Sequence, residues 1–260
     1  MIDKDKIIRY YKATEEDILA ARLIEIAESV EKNKKYKASF FLSPSEFQIA
    51  EVICNASEDL SVVAYGGFEN AERNKAVFVH RDFKYQIVMD FVALEINWDK
   101  RYYSIAHKDL LGAILAICKR EFVGDIVLVE TGAQVVVEEK MAEFLLQNLT
   151  KVGAAEVSIK KIAVEDLQVK EQKTKVITAT VANLRLDAVA AAGYSTSRTQ
   201  MNEGIKLQQV KLNHKSAKGA AQEVKVGDTI SYRGRGRVEV VEIKGITKKG
   251  RISIVLHRIL

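Results

Sequence analysis

Residues 183–214 read NLRLDAVAAAGYSTSRTQMNEGIKLQQVKLNH, and their spacing decides how the last third of the chain is read. Leu186, Val189 and Ala190 can face a core from a short helix over 184–191, with Arg185 on the opposite face. Gly193 is expected to end that helix, because glycine enters the left-handed conformation without strain. Ser195, Thr196 and Ser197 then offer N-caps for a second helix over 198–207. Residues 210–213 read as a strand with Lys211 outward. Segments 230–232, 238–243 and 252–256 complete a small sheet.

Charge singles out the same region. Residues 176–260 hold 15 Lys+Arg against 6 Asp+Glu, while residues 1–175 hold 25 against 29. The overall net charge of +5 therefore conceals a basic C-terminal part and a slightly acidic remainder. Concentrated positive charge is the footprint of a polyanion binder. Arg233-Gly234-Arg235-Gly236-Arg237 adds three guanidinium groups on a loop whose glycines let backbone approach a phosphate. ITKKGRI at 246–252 reads as a further hairpin with Lys248 and Lys249 at its tip.

Arg185-Leu186-Asp187, then Ser197-Arg198 twelve residues after Arg185, then Val210-Lys211-Leu212-Asn213, resemble the S4 RNA-binding domain. The resemblance implies that Arg185, Ser197 and Arg198 lie on an RNA-facing surface, joined by Lys206, Lys211 and Lys215. Arg233, Arg235 and Arg237 extend that set. Arginine's planar fork suits phosphate better than lysine's point charge, and a helix N-terminus beside Arg198 adds free N–H groups. Asp187 matches the family's aspartate and is read as orienting Arg185 or a helix end, since a carboxylate would repel phosphate. The sequence departs from the family pattern at Met201 and Gln208, and Gly204 falls inside the second helix. A helical glycine costs roughly 1 kcal/mol relative to alanine.

Upstream, residues 84–98, 125–130, 133–137 and 156–162 read as strands, with helices over 107–118 and 138–150. That order is the β-α-β-β-α-β of the ferredoxin-like fold. RNA-recognition modules share it and stack bases on aromatics in one strand. AQVVVEE occupies that place here and has no aromatic. The segment therefore reads as a domain that packs, or touches phosphate or protein, with Lys119-Arg120, Arg101 with Tyr102-Tyr103, and Trp98 as candidate contacts. In the opening block a helix over 14–33 is expected, its apolar positions including Ile18, Ile24 and Val30, with Thr14 and Asp17 at its start. Ser43 with Pro44 opens a second helix through about Cys54. KNKKYK at 32–37 reads as a solvated basic turn. Strands are expected over 61–65 and 76–80. Residues 163–182 read as a connector.

The layout expected is thus α+β: an N-terminal α/β unit (1–80), a ferredoxin-like, RRM-like middle domain (81–175) and a C-terminal S4 domain (176–260). With 48% hydrophobic and 29% charged residues the composition is that of a soluble globular protein. No apolar run approaches the ~20 residues of a bilayer span, and the N-terminus lacks the apolar core of a secretory signal. Cys54 and Cys118 read as buried free thiols in a reducing cytoplasm. The four His residues are scattered, so no metal site and no cofactor is expected.

The whole-chain layout, together with HKDLLGAILAI, KRE and GDI within 107–126, resembles the bacterial YlmH family, encoded near cell-division genes. The resemblance implies a non-catalytic role. Family members are similar to factors that bind large ribosomal subunits carrying stalled peptidyl-tRNA, in ribosome-associated quality control. The expected partners are structured RNA (rRNA and tRNA), the large subunit, and proteins meeting the N-terminal half. Two readings from other classes stay open on the residues alone. One is an RNA-modifying enzyme with its site in 1–175, although no convergent acid/base or nucleophile set appears there. The other is a cell-division scaffold acting through its acidic N-terminal half.

Overall fold

A capping box starts the clearest helix of the N-terminal part. The Ser43 hydroxyl accepts from the Glu46 amide, and the Glu46 carboxylate accepts from the Ser43 amide at 2.6 Å, with Pro44 in the first turn. The computed structural model describes residues 2–12, 16–169 and 174–259 and divides into two units, Met1–Val169 and Lys170–Leu260.

Unit 1 begins with α1 (Lys4–Lys12), α2 (Asp17–Asn33), β1 (Tyr36–Leu42), α3 (Pro44–Asn55), β2 (Leu60–Tyr65) and β3 (Asn74–His80). The strands pair antiparallel in the order β1-β3-β2. Ala20, Leu23, Ile24, Ala27 and Val30 form the buried face of α2, and they pack with Ile49, Ile53 and Phe78. Ile18 is exposed, one position off that face. Thr14 lies outside the described residues, and the helix starts at Asp17 behind an N-cap, Glu16, that makes no side-chain cap bond. The last two residues of the expected basic turn begin β1, because Tyr36 and Lys37 pair with Val79 and Phe78, and the first two end α2.

The chain continues through β4 (Phe91–Asn97), α4 (His107–Leu115), β5 (Val123–Leu128), β6 (Gly132–Glu138), α5 (Glu139–Asn148), a short hairpin of β7 (Lys151–Val152) and β8 (Ala155–Glu156), and β9 (Ser158–Ile162). Sheet order β5-β6-β4-β9 is the ferredoxin-like arrangement. Leu94, Ile96, Val135 and Val137 face α4 and α5 through Leu110, Ile114 and Leu145. The expected strand over 84–98 is shorter by half. The Val88 amide and carbonyl both bond the Tyr36 hydroxyl, so they do not join a ladder.

The other face of this sheet is covered. Val136 and Phe91 pack against Phe41 of β1, with Phe68, Met89, Val164 and Leu167 around them. The Gln134 side chain accepts from the Gln168 amide at 2.6 Å, pinning the chain that follows β9 over the same face. Charges are buried here too. Lys75 of β3 is 1% exposed and pairs with Asp90 at 2.7 Å and Glu138 at 2.9 Å. Asp125 accepts from the Glu72 and Arg73 amides, and burial, opposed by those bonds, still holds its carboxyl above the usual range. Arg73 donates to the carbonyls of Val123 and Phe41, while burial and the neighbouring Arg73 bring the Arg120 guanidinium down to about 10.

Unit 2 comprises β10 (Thr174–Val181), α6 (Leu186–Tyr194), α7 (Arg198–Lys206), β11 (Val210–Leu212), β12 (Lys215–Ser216), β13 (Thr229–Tyr232), β14 (Gly236–Ile246) and β15 (Ile252–Ile259). Its sheet runs β10-β15-β14-β13-β11-β12, antiparallel throughout. Part of the expected connector is β10, whose eight residues all pair with β15. Leu186, Val189, Met201 and Ile205 pack on Val238, Val240, Ile254 and Leu256.

The expected role of Gly193 is corrected. It lies within α6, and Ser195 takes the left-handed cap at φ 52°. A Cβ at Gly193 would sit 2.7 Å from a Val238 methyl. The glycine is there so that α6 can lie close on β14. Overpacking costs about 1–3 kcal/mol and exceeds the gain of at most about 1 kcal/mol in helix propensity. Gly193→Ala is therefore expected to lower stability in urea titration, although helix scales alone give the opposite sign. Gly204 has a similar reason: a Cβ there would meet the Tyr232 hydroxyl oxygen at 2.9 Å.

Candidate nucleic-acid interface

The start of α6 is built against a loop rather than left open. Leu186 and Asp187 donate their amides to the carbonyls of Gln222 and Ala220, and Arg185 bridges Glu223. Those contacts bury Asp187 to 1% exposure. Its carboxylate accepts from Arg185 Nε at 3.2 Å and Nη2 at 3.3 Å, and from Arg198 Nη2 at 2.7 Å. Burial alone raises a carboxyl's pKa, but the bonds and charges of Arg185 and Arg198 outweigh it and hold Asp187 below the ordinary range.

A residue pair two apart does not meet within a helix. Here it does, because Arg185 is the extended N-cap at ψ 145° and Asp187 is in the first turn. One buried carboxylate thus fixes two guanidinium groups whose side chains stay 40% and 53% exposed. Arginine has five N–H donors, so each retains donors for a ligand. The cluster carries one net positive charge, held in place before anything binds.

Ser197 caps α7, accepting from the Gln200 amide at 3.1 Å. It sits beside the cluster, as the sequence places it. Lys206 is exposed at the other end of α7, about 12 Å along the axis from Arg198. The arginine-glycine loop lies near that end, because Arg233 donates its amide to the Gln209 carbonyl. Gly234 and Gly236 take positive φ values of 76° and 81°. Arg233 and Arg235 are exposed, the latter 5.3 Å from the Tyr232 ring centroid. Arg237 belongs to β14 rather than the loop tip, paired with Ser231 and Ile259. Lys211 and Lys215 stand exposed on the β11–β12 hairpin, whose turn is Asn213-His214 with both residues left-handed. Asn213 locks that turn to Asp228 at 2.7 Å and to the Thr229 amide at 2.9 Å.

The sites named from sequence thus fall into two groups, one at each end of α7, with the β11–β12 hairpin alongside. Sequence reasoning missed the segment 217–220. With Asn202, Ile205, Lys206 and Gln208 it lines a groove of about 500 Å³, and Lys218 stands on its rim. Nothing periodic marks that loop. Its only signal is the pair of lysines three residues apart, at 215 and 218.

The middle-domain candidates fare differently. Trp98 is buried, its indole donating to the Tyr103 carbonyl. Arg120 is spent on the carbonyls of Val123 and Gly124. Arg101 is exposed but paired with Asp99 at 2.6 Å, and Tyr102 is exposed beside it. Cys54 and Cys118 are buried and free, and burial pushes both thiols up. Among the described residues no helix is long and apolar enough to cross a membrane.

Three family models match the chain: "YlmH, N-terminal" over residues 15–83, "Putative RNA-binding domain in YlmH" over 80–166, and "S4 domain" over 184–230. A protein of Bacillus subtilis named "Ribosome-associated protein quality control protein P2" is 32% identical over 237 residues, 88% of this chain and 90% of that one. The solved structure "Cell division protein ylmH from Streptococcus pneumoniae" shares the fold, with a TM-score of 0.51 at 17% identity, over 60% of this chain and 95% of that one. With a relative of that identity along nearly its whole length, and family-specific matches from 15 to 166, the chain belongs to the YlmH family.

Proposed function

We propose that unit 2 grips structured RNA, ribosomal RNA with tRNA nearby, on the large ribosomal subunit. The chain acts there without catalysis, in quality control of stalled peptidyl-tRNA. The observation that carries this reading is the pair of guanidinium groups anchored by buried Asp187 and half open to solvent. Preset donors meet phosphates without first being ordered, so binding costs less conformational entropy. Arg185, Ser197 and Arg198 contact one stretch of backbone. Lys206, Arg233, Arg235 and Arg237 take a second, and Lys211 and Lys215 add charge from the hairpin. Such contacts set register, and RNA shape supplies selectivity. The name of the Bacillus relative supports placing this RNA on the ribosome.

The test is sedimentation of lysate through a sucrose gradient. The intact protein is expected to travel with large subunits. Arg185→Ala/Arg198→Ala, verified as folded by circular dichroism, is expected to stay at the top. Arg185→Lys/Arg198→Lys keeps the charge without the fork and should fall between them. If intact protein stays at the top at low salt, the ribosome reading fails. Removing either arginine's hold on a phosphate should also flatten the salt dependence, by about 0.7–0.9 in the log–log slope.

A further inference from the structure

The sheet face that an RNA-recognition domain offers to bases is covered in unit 1, yet the unit carries an aromatic and basic surface elsewhere. It is built around KNKKYK at 32–37, whose composition alone reads as a solvated turn. The Tyr36 hydroxyl sits 3.1 Å from the Val88 carbonyl oxygen and 3.0 Å from its amide, donating to one and accepting from the other. The chain leaving β3 turns at once, with the Phe83 amide donating to the His80 carbonyl. Together these contacts line up three rings. Tyr36 and Phe83 have centroids 5.0 Å apart, and Phe83 and Tyr85 5.6 Å. Tyr85 ends the ladder at 82% exposure.

Six basic residues surround these rings in sequence: Lys32, Lys34, Lys35 and Lys37 before and around Tyr36, and Arg81 and Lys84 beside Phe83. Two of the six are matched, Lys34 by Asp82 at 3.4 Å and Arg81 by Asp59 at 2.8 Å. The nearby Glu31 accepts from the Ser57 hydroxyl. Among the described residues no carboxylate pairs with Lys32, Lys35, Lys37 or Lys84, all of them exposed. β1 is an edge strand, and Lys35 immediately precedes it beside Tyr36. Lys37, paired with Phe78, points to the opposite face from the Tyr36 ring.

We propose that this surface binds a short single-stranded RNA segment, one base stacking on Tyr85 and phosphates meeting Lys35 and Lys84. An exposed ring beside lysines that no carboxylate neutralises is what single-stranded nucleic acid uses: every base has a π face, and the backbone follows positive charge. Lys84 keeps its charge while donating to the Arg81 carbonyl at 3.0 Å. An acidic peptide would use the lysines and leave Tyr85 unused. The assignment rests on the reading that the chain works on RNA, and it gives unit 1 a contact of its own.

The experiment uses the full chain and two probes, a fluorescent oligouridylate of about ten nucleotides and a stable RNA hairpin. Tyr85→Ala is expected to weaken oligouridylate binding about tenfold. Lys35→Glu/Lys84→Glu should weaken it further and flatten its salt slope by about 1.4. Both substitutions are at exposed positions, and neither should change hairpin affinity. Equal oligouridylate affinity for Tyr85→Ala and the unchanged protein overturns the proposal. So does loss of that binding in Arg185→Ala/Arg198→Ala but not in the Tyr85 or lysine variants, an outcome that leaves the function of unit 2 standing. Competition by polyglutamate as strong as by oligouridylate also overturns it, since charge alone would then account for binding. Hairpin binding indifferent to the two arginines, with oligouridylate binding dependent on Tyr85, would instead uphold this surface and sink the reading of unit 2.

Discussion

Lys75→Ala is expected to destabilise unit 1 by about 3–5 kcal/mol, a large share of the stability of a typical domain. The Lys75 ammonium is 1% exposed, and its partner Glu138 is 5% exposed. Removing the lysine leaves Glu138 buried with, among the described residues, the cation of Lys140, itself mostly solvated, at 2.6 Å. Asp90 loses less, because its side chain is largely in water. The chain's single tryptophan, Trp98, is buried in unit 1, so its fluorescence in urea reports on that unit. The decisive comparison is the double variant Lys75→Met/Glu138→Leu. If desolvated charge is what makes the single variant costly, replacing both partners with apolar groups should recover most of the loss. A double variant as unstable as the single one would show that packing around Lys75, including its approach to the Phe41 ring at 5.5 Å, matters more than charge.

Asp187→Asn separates positioning from charge in unit 2. The substitution raises the net charge of the Arg185, Asp187 and Arg198 cluster by one. A protein that attracts RNA by charge alone should then bind more tightly. Positioning gives the opposite sign: both guanidinium groups lose a charged acceptor, and about tenfold weaker binding to structured RNA is expected, together with a loss of about 2–3 kcal/mol of stability. The pH dependence follows from the lowered carboxyl. Asp187 contributes its full stabilisation above the unfolded value of about 3.9, and that contribution is lost as pH falls through its lower folded value. Binding should therefore show no Asp187-dependent step between about pH 5 and 8. Tighter binding by Asp187→Asn would overturn the anchoring role of the carboxylate.

Much of this was legible in the residues. Ser43 with Pro44 and Ser197 before Arg198 mark helix starts by local chemistry, and both caps form. The split βαβ order of the middle domain follows from alternating strand and helix periods, and the sheet order agrees with it. Arg185, Asp187 and Arg198 could be named from spacing. Their meeting at one buried oxygen pair could not, because it depends on the Ala220 and Gln222 carbonyls arriving from more than thirty residues away. β1 was hidden for a related reason: YKASFFL follows a lysine run that reads as a turn, and its pairing with β3 comes from far along the chain.

Local physics is written directly in the residues: caps, apolar periodicity, the uneven distribution of charge, and the side chains that suit phosphate. What depends on approach emerged with the packed chain. Packing turned Gly193 from an expected helix end, and Gly204 from a helical cost, into close contacts against Val238 and Tyr232. It covered the sheet face that a base would use, and it brought Tyr36, from the end of a lysine run, against Phe83 and Tyr85 from beyond β3. A side chain's partners across space follow from where the backbone goes, whereas its own preferences are set at its position.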